Sequence, residues 1–360
     1  MSVEFIGMIH HREASETHPP PDVVFDHGYI RDFAQAAEVG GFDRVLVGYF
    51  SDGPDGFLLA AAAAAHTTRL GFLLAHRPGF VAPTLAARKF ATLDHVTHGR
   101  AAIHVISGGD DADQQRDGDW LPKDERYART DEYVHILKRM WTDPGPVDHE
   151  GVYYRFKGAS TAVRGMQQPH IPIYFGGASD AAIAVAGRHA DVYALWGETH
   201  AQVRELTARV RAEAEKHGRS VRFSLSLRPI LARSEDEAWS RADLIKQRIA
   251  ELRARAGLPP REPANEGSRR LLAAAAQGER LDKRLWTGAA LLTGARGNST
   301  SLVGTPAQVA EAMCDYYDLG ITTFLIRGFD PLADNIEYGR DLLPLVRRMI
   351  EQRRPAVAAE

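Results

Sequence analysis

Residues 171–198 form the sequence IPIYFGGASDAAIAVAGRHADVYALWGE. Its apolar runs and helical spacing predict a strand, a helix and a second strand, over residues 171–175, 181–188 and 191–196. Gly176 and Gly177 allow a sharp turn after the first strand, and Ser179 stands where a helix N-cap belongs. Free N–H groups at such a helix start, next to glycines that permit close approach, suit a phosphate. An ordinary strand-to-helix turn explains these residues equally well, so the rest of the chain has to decide.

The composition describes a globular protein and excludes several classes of function. The chain has 360 residues, 25% of them charged, and a formal net charge of -3. Without a basic run it lacks the footprint of a nucleic-acid-binding protein, and no apolar run is long enough to span a bilayer. The first residues show no basic segment, so we expect no signal peptide. The single cysteine, Cys314, excludes an internal disulfide framework and favours the cytoplasm.

Strand and helix patterns alternate along the whole chain. The predicted strands cover residues 3–8, 44–47, 70–75, 100–106, 171–175, 191–196, 222–232 and 323–327. Helical patterns lie between them, and the final helix is predicted over residues 341–351. Eight such units predict an α/β protein with a (β/α)8 TIM-barrel fold, as a single domain over residues 1–360. The alternative is a doubly wound open sheet, but no G-x-G-x-x-G follows the first strand.

Three segments interrupt the repeat, and we interpret them as insertions after the fourth and seventh strands. Residues 110–126 are polar and are predicted to be a long loop, which is uncommon unless it is functional. Residues 145–168 contain a predicted hairpin, VDHEGVYYRF. Residues 253–302 contain an alanine run, expected to be a helix, and the glycine-rich GARGNST, expected to be a mobile loop.

In a TIM barrel the site lies at the carboxyl ends of the strands. These ends are rich in arginine, glycine and aromatic residues and poor in carboxylates, a set suited to a flat ring and to phosphate or sulfonate. His10 and His11 are adjacent and would face opposite ways on a strand, so no metal site is predicted. Arg228 lies on an apolar strand and needs an acidic partner or an anionic ligand. His104, within a strand, is expected to be a hydrogen-bonded core histidine.

Ordinary structural explanations remain open for two aromatic residues. Trp196 is either a core residue or a wall of the pocket, and its place at the end of a strand favours the wall. Tyr127 lies at a helix start between Arg126 and Arg129, which can pair with neighbouring acids. A contact between Tyr127 and a phosphate is equally compatible with this position.

The ordered motifs resemble the flavin-dependent alkanesulfonate monooxygenases of the bacterial-luciferase-like superfamily. Besides the opening stretch, the matching motifs are DHGYIRDFAQAAEVGGFDRVLV, HTTRLGFLLAHRPGFVAPTLAARKFATLDHVTHGRA, RYARTDEY, DEAW and LWTGAALL with SLVG. The resemblance covers nearly the whole chain. It implies a two-component enzyme in which a separate NAD(P)H-dependent reductase supplies reduced FMN. The flavin reacts with O2, and a sulfonate is cleaved to an aldehyde and sulfite.

Carried over by position, the resemblance assigns residues to the cofactor. Those expected to hold the FMN phosphate are Gly177, Ala178, Ser179 and Tyr127. Those expected near the isoalloxazine are Leu74, Ala75 and Ser107.

The resemblance also assigns catalytic and substrate-binding residues. The catalytic candidates are Arg228, His11 and Arg296, the last on the predicted mobile loop. The substrate-binding candidates are His10, Trp196, Ser226, Arg228, Arg296 and Phe329. One of the two adjacent histidines would face the flavin. A small anionic substrate, and a homodimer or homotetramer, are implied in the same way.

Two departures from the family pattern concern the substrate. The family has Arg-Leu-His on the seventh strand, where this chain has Ser226–Leu227–Arg228, and a tyrosine where this chain has Phe329. Since alternate residues of a strand share a face, Ser226 and Arg228 would both point into the barrel. The substrate can therefore be another sulfonate, a carboxylate or a heterocycle. A deazaflavin-dependent oxidoreductase and a flavin-binding protein without turnover are the competing hypotheses.

Overall fold

The computed structural model describes residues 2–258, 263 and 265–353. Eight parallel strands of this part close into a barrel in the order β1-β14-β9-β8-β7-β4-β3-β2, which confirms the predicted TIM-barrel fold. The barrel strands are β1 (Glu4–Ile9), β2 (Arg44–Val47), β3 (Gly71–His76), β4 (Ala101–Val105), β7 (Ile173–Gly176), β8 (Val192–Trp196), β9 (Arg222–Leu227) and β14 (Ile321–Ile326). The remaining strands are β5 (Val147–Glu150), β6 (Arg155–Ala159), β10 (Ile230–Leu231), β11 (Arg280–Leu281), β12 (Leu285–Trp286) and β13 (Ser301–Gly304).

The helices lie between these strands. They are α1 (His27–Val39), α2 (Gly56–Ala64), α3 (Pro83–Val96), α4 (Asp111–Arg116), α5 (Lys123–Thr142), α6 (Asp180–His189), α7 (His200–Glu215), α8 (Glu235–Arg255), α9 (Glu266–Ala275), α10 (Gly288–Thr293), α11 (Pro306–Asp318), α12 (Pro331–Glu337) and α13 (Leu343–Arg353). A π-helical turn, Tyr338–Leu342, joins the last two. In the described part of the chain, no helix is both long and apolar enough to cross a membrane.

The predicted insertions are more structured than their composition indicates. Residues 110–126 contain α4 because Asp110 caps it, its Oδ1 accepting from the Ala112 N–H at 3.1 Å; the expectation of a plain loop was wrong. The predicted hairpin is confirmed, since β5 and β6 pair antiparallel. The third insertion contains α9, α10, β11 and β12, and its residues 259–262 and 264 lie outside the described part.

The strand predicted over residues 222–232 is in fact two strands. β9 ends at Leu227, and β10 joins a separate four-stranded sheet with β13, β12 and β11. Pro229 has no N–H to donate, and the N–H of Arg228 donates to Thr300 O at 2.9 Å. The chain therefore leaves the barrel sheet at Arg228.

The described residues form two compact units. The first contains the described residues within 1–43, 195–205 and 223–360, and the second contains residues 44–194 and 206–222. In the first unit, Phe5 of β1 stacks on Phe324 of β14 at 6.1 Å, and Arg347 of α13 lies over Phe5. This contact with α13 defines the helix-facing side of these strands, so residues of the other parity, His10 among them, lie on the opposite side.

The second unit has the same two-sided organisation. On its helix-facing side, His76 of β3 contacts Phe57, Phe90 and Tyr133 of three helices. On the opposite side, Ala75 and His104 are partners in the β3–β4 register. Both sides of β3 are buried, which explains the apolar run of residues 71–75 that precedes His76.

Candidate functional site

The turn from β7 into α6 has the geometry of a close-approach cradle. Gly177 has φ +137°, and a Cβ there would lie 2.7 Å from Ala182 Cβ and 3.0 Å from Tyr127 Oη. Only glycine therefore fits. Ser179 is the N-cap of α6, as predicted, and its Oγ accepts from the Ala182 N–H at 3.3 Å. The earlier N–H groups of this turn remain for a ligand.

Two tyrosines shape this cradle. Tyr127 of α5 packs edge-on against Phe175 and lies beside Gly177, so the structure brings together the residues predicted to hold a phosphate. Burial raises the pKa of Tyr127, so its hydroxyl stays protonated at neutral pH and can donate a hydrogen bond. Tyr193 of β8, which sequence reasoning missed, donates its hydroxyl to the carbonyl of Gly177.

An acidic residue at the start of α6 does not oppose an anion here. The Asp180 side chain is almost fully exposed and pairs with Arg209 at 2.7 Å. The cradle is thus small, shaped by glycine and rich in donors, and it fits a phosphate group.

The residues predicted near the isoalloxazine are buried in the same unit, but they are not equivalent. Leu74 points to the helix layer, where its Cδ1 would be 2.6 Å from a Cβ on Gly56. Ala75 points to the opposite side of the sheet. Ser107 Oγ lies 2.9 Å from Thr130 Oγ1. Only the backbone of Leu74 can therefore line the side of the sheet on which Ala75 lies.

His104 differs from its prediction. It is half-buried, and its buried Nδ1 has no hydrogen-bond partner among the described residues, so it is not the satisfied core histidine that was expected. Burial lowers the pKa of His104 to about 4, and the ring is neutral at pH 7. His104 is the register partner of Ala75 and lies on the same side of the sheet, so its unpartnered Nδ1 lies on the side that Ala75 faces.

The segment between β4 and α5 is fixed by three ion pairs. They join Arg77 to Asp113, Arg126 to Asp111 at 2.6 Å, and Arg129 to Asp119 at 2.5 Å. The acids nearest in sequence were expected to pair with Arg126 and Arg129. The inserted segment supplies the partners instead, Asp111 for Arg126 and Asp119 for Arg129.

In the first unit, a buried cluster joins the ends of β1, β9 and β14. We call it the arginine cluster; it contains His10, Glu16, Arg228, Arg327 and Phe329. Arg228 is 1% exposed and donates from Nη1 to Glu16 Oε2 at 2.9 Å and from Nη2 to Gly328 O at 2.9 Å. The predicted need for an acidic partner or an anion is met by Glu16.

Glu16 also binds a second arginine. Arg327 Nη2 lies 2.7 Å from both carboxylate oxygens of Glu16. Burial alone would raise the pKa of Glu16, but the guanidinium groups of Arg228 and Arg327 outweigh it and hold that pKa well below its usual range. The carboxylate is therefore ionised at any physiological pH.

The two adjacent histidines have different surroundings. Burial, followed by the charge of Arg327, lowers the pKa of His10 to about 3, so His10 is neutral and belongs to the arginine cluster. The His11 ring instead stacks on Phe25, with ring centres 6.4 Å apart. Of the two, His10 shares the strand face of Arg228 and Arg327, while the catalytic role expected for His11 stays a prediction.

The other predicted substrate residues are distributed around this cluster. Ser226 is half-buried and shares the strand side of Arg228. Phe329 is 3% exposed, packs under Arg228 and belongs to an apolar cluster with Trp239 and Trp286. Phe329 therefore acts on Arg228 through packing.

Trp196 and Arg296 border the inserted segment. Trp196 packs against Leu271 and Ala295, and a Cβ on Gly267 of α9 would lie 3.2 Å from its ring. Arg296 is exposed, in a turn where Ala295 and Gly297 have positive φ. The insertion thus covers Trp196, while Arg296 lies on its surface.

Sequence reasoning missed Glu16, and it noted Arg327 only as a strand end. Arg327 carried a usable signal, because it follows β14 with the same parity as the inward-facing residues. Glu16 carried none, because it lies in an irregular, proline-rich segment.

Comparison with known proteins identifies the family. The profile of the luciferase-like monooxygenase family matches residues 3–323. The chain shares its fold with a riboflavin lyase, RcaE, solved with modified FMN and riboflavin (TM-score 0.80, 20% identity, 97% of this chain and 92% of that chain). It is also similar to the EDTA monooxygenase EmoA from Chelativorans sp. BNC1 (TM-score 0.76, 18% identity, 97% of this chain and 94% of that chain). A third similar structure is DmoA from Hyphomicrobium sulfonivorans (TM-score 0.76, 22% identity, 97% of this chain and 89% of that chain). With a profile match over most of its length, the chain belongs to the luciferase-like monooxygenase family.

Proposed function

We propose that the protein is the oxygenase of a two-component, FMNH2-dependent monooxygenase that acts on a small anionic organosulfur compound. The reaction favoured by the sequence is desulfonation: an alkanesulfonate, O2 and FMNH2 give an aldehyde, sulfite, FMN and water. Bound reduced flavin supplies the two electrons that activate O2. A separate NAD(P)H-dependent reductase regenerates it, and the chain works as a homo-oligomer.

The cradle at Gly177 supports a flavin with a terminal phosphate. Gly177, Ala178 and Ser179 would bind the phosphate through backbone N–H groups, and Tyr127 would donate its hydroxyl. Ala75 and Ser107 would lie near the ring, and the unpartnered Nδ1 of His104 is available to a polar ring atom. These residues bind and orient the cofactor.

The charge of the arginine cluster is the observation that carries the substrate assignment. Two guanidinium groups share one carboxylate, and the remaining polar member, His10, is neutral. The cluster therefore has an excess of one positive charge in a largely buried place, where an unbalanced charge is costly. An anionic head group on the substrate would neutralise it.

A comparison of two flavins tests the cofactor part. Reduced FMN and reduced riboflavin differ by the phosphate, so wild-type protein should bind reduced FMN at least tenfold more tightly. Tyr127→Phe should weaken binding of reduced FMN by about tenfold, the worth of one charge-assisted hydrogen bond, and leave riboflavin unchanged. Equal binding of both flavins by wild-type protein would refute the phosphate cradle.

Turnover then tests the substrate part. With a flavin reductase and NADPH, O2 uptake and sulfite release are measured over a panel of alkyl, aryl and sugar sulfonates. Sulfite from an alkanesulfonate supports desulfonation. O2 uptake with a carboxylate or heterocycle only would keep the monooxygenase and reject desulfonation, and hydride transfer from a reduced deazaflavin without O2 uptake would reject the monooxygenase.

A further inference from the structure

Glu16 occupies the place that the anionic group of a ligand would take between two guanidinium groups. Its carboxylate accepts from Arg228 at 2.9 Å and from Arg327 at 2.7 Å. The segment that carries it joins β1 to α1 and has no regular structure. The carboxylate therefore acts as an internal counter-ion at the ends of β9 and β14.

The backbone around Glu16 is anchored, so this contact belongs to the fold. The hydroxyls of Ser15 and Thr17 both donate to the carbonyl of Phe329, at 2.5 and 2.9 Å. Because Ser15 and Thr17 both point towards Phe329, the side chain of Glu16 between them points to the opposite side of the segment. Glu13, earlier in the segment, accepts from the Leu332 N–H at 3.3 Å and makes no hydrogen bond to either arginine.

The two arginines are not equally accessible. Arg228 is enclosed by Glu16, the Gly328 carbonyl and the Phe329 ring, and only 1% of its side chain is exposed. The Arg327 side chain is 17% exposed and that of Glu16 is 30% exposed. The nearby Asp334 pairs with Arg241 at 2.5 Å, and Arg241 also pairs with Glu337 at 3.1 Å, so both acids are bound to this third arginine. The excess charge is therefore available to a ligand at Arg327.

We propose that Glu16 determines the charge of the substrate: it leaves one positive charge, presented by Arg327, and so selects a head group with a single negative charge. The inference rests on the anionic substrate of the proposed function and narrows it to monoanions. A sulfonate or carboxylate neutralises the cluster. A phosphonate dianion leaves one negative charge uncompensated in a largely buried place, which is unfavourable.

A pair of nearly isosteric anions tests this charge selection. Methanesulfonate carries one negative charge, and methylphosphonate carries two at pH 8.5. We expect wild-type protein to bind methanesulfonate at least tenfold more tightly in calorimetric titrations. Glu16→Gln keeps the size of the side chain and adds one positive charge, so it should bind methylphosphonate at least tenfold more tightly than wild-type protein does.

Three further variants separate charge from shape and folding. Glu13→Gln changes the same segment at a side chain that makes no hydrogen bond to either arginine and should keep the wild-type preference, as should Glu16→Asp. Arg327→Gln neutralises the cluster and should bind methanesulfonate at least tenfold more weakly. This variant keeps the test valid if Glu16→Gln does not fold, which circular dichroism will show.

The outcomes distinguish this inference from the proposed function. An unchanged ratio of the two dissociation constants in Glu16→Gln, or wild-type affinity in Arg327→Gln, overturns charge selection while flavin binding and O2 uptake stand. Failure of the wild-type protein to bind either anion, with O2 uptake on a neutral substrate, overturns both the anionic substrate and this inference. Loss of reduced-FMN binding affects the cofactor assignment alone.

Discussion

The guanidinium carbon of Arg228 lies 3.5 Å from the centre of the Phe329 ring. The ring is 3% exposed and connects the arginine cluster to the apolar cluster of Trp239 and Trp286. We expect Phe329→Ala to lower the free energy of unfolding by about 3–5 kcal/mol, because it leaves a cavity beneath a buried charge. Urea denaturation measures this. Leu58→Ala, at a side chain that is 71% exposed, should change it by less than about 0.5 kcal/mol.

Gly177 is predicted to be irreplaceable in the cradle. Gly177→Ala places a Cβ 2.7 Å from Ala182 Cβ at a φ of +137°, so the turn must move. We expect reduced FMN to bind at least tenfold more weakly, as measured by anaerobic titration. Gly218→Ala is the matched control, since Gly218 also has positive φ but has open space around it. Equal binding by wild type and Gly177→Ala would contradict the cradle.

His76 is expected to make the fold sensitive to acid. Burial lowers its pKa from 6.5 to about 3, and it lies 2.6 Å from Tyr133 Oη. Between these values the unfolded chain binds a proton that the folded chain does not, so stability falls as the pH drops below 6.5. From pH 7.5 to 5 this amounts to about 2 kcal/mol. Between pH 7.5 and 5, the free energy of unfolding of His76→Gln should fall by about 2 kcal/mol less than that of wild-type protein. Urea unfolding at both pH values measures this difference.

Glu16 also makes the fold sensitive to acid, in a lower pH range than His76. Its pKa in the folded state is held below the ordinary 4.5. Its pairing therefore stabilises the fold above pH 4.5, and this stabilisation is lost as the pH falls towards the folded-state pKa. At pH 7 the free energy of unfolding of wild-type protein should exceed that of Glu16→Gln by at most about 3 kcal/mol. The difference should shrink at pH 3.5, and a difference that does not vary with pH would count against the ion pairs.

Arg270 holds the inserted helix α9 beside Trp196. Its Nε and Nη2 each lie 2.8 Å from a carboxylate oxygen of Glu198, which is 1% exposed. Arg270→Met leaves that carboxylate buried without its partner, so we expect a loss of about 3–5 kcal/mol, faster proteolysis within residues 253–302 and a red shift of tryptophan fluorescence.

The neighbouring Arg269 offers a matched control for this prediction. Its guanidinium pairs with Glu266 at the surface, where such a pair contributes about 0–1 kcal/mol. Arg269→Met should therefore leave proteolysis and fluorescence unchanged. Equal effects of the two variants would show that the Glu198–Arg270 pair does not hold α9.

The barrel and the turn from β7 into α6 follow from local sequence patterns. Short apolar strands buried on both sides, alternating with capped helices, are local patterns that a TIM barrel requires. Gly177 and Ser179 were predictable for the same reason, since turn geometry and helix capping depend on residues within a few positions. The prediction of a single strand over residues 222–232 was wrong from Arg228 onwards. There the backbone N–H donates a hydrogen bond to Thr300 O and no longer to a neighbouring barrel strand.

The distribution of charge in the arginine cluster depends on contacts between distant parts of the chain. Glu16 is 212 residues from Arg228 and 311 residues from Arg327, and it lies in a segment without periodicity. Its position depends on the register of β1 with β14 and on the hydrogen bonds of Ser15 and Thr17 to Phe329. Contacts between such distant residues follow from how the strands pair, which no local pattern records. Local patterns therefore specify the class of protein, and the packing of one irregular segment sets the charge of the arginine cluster.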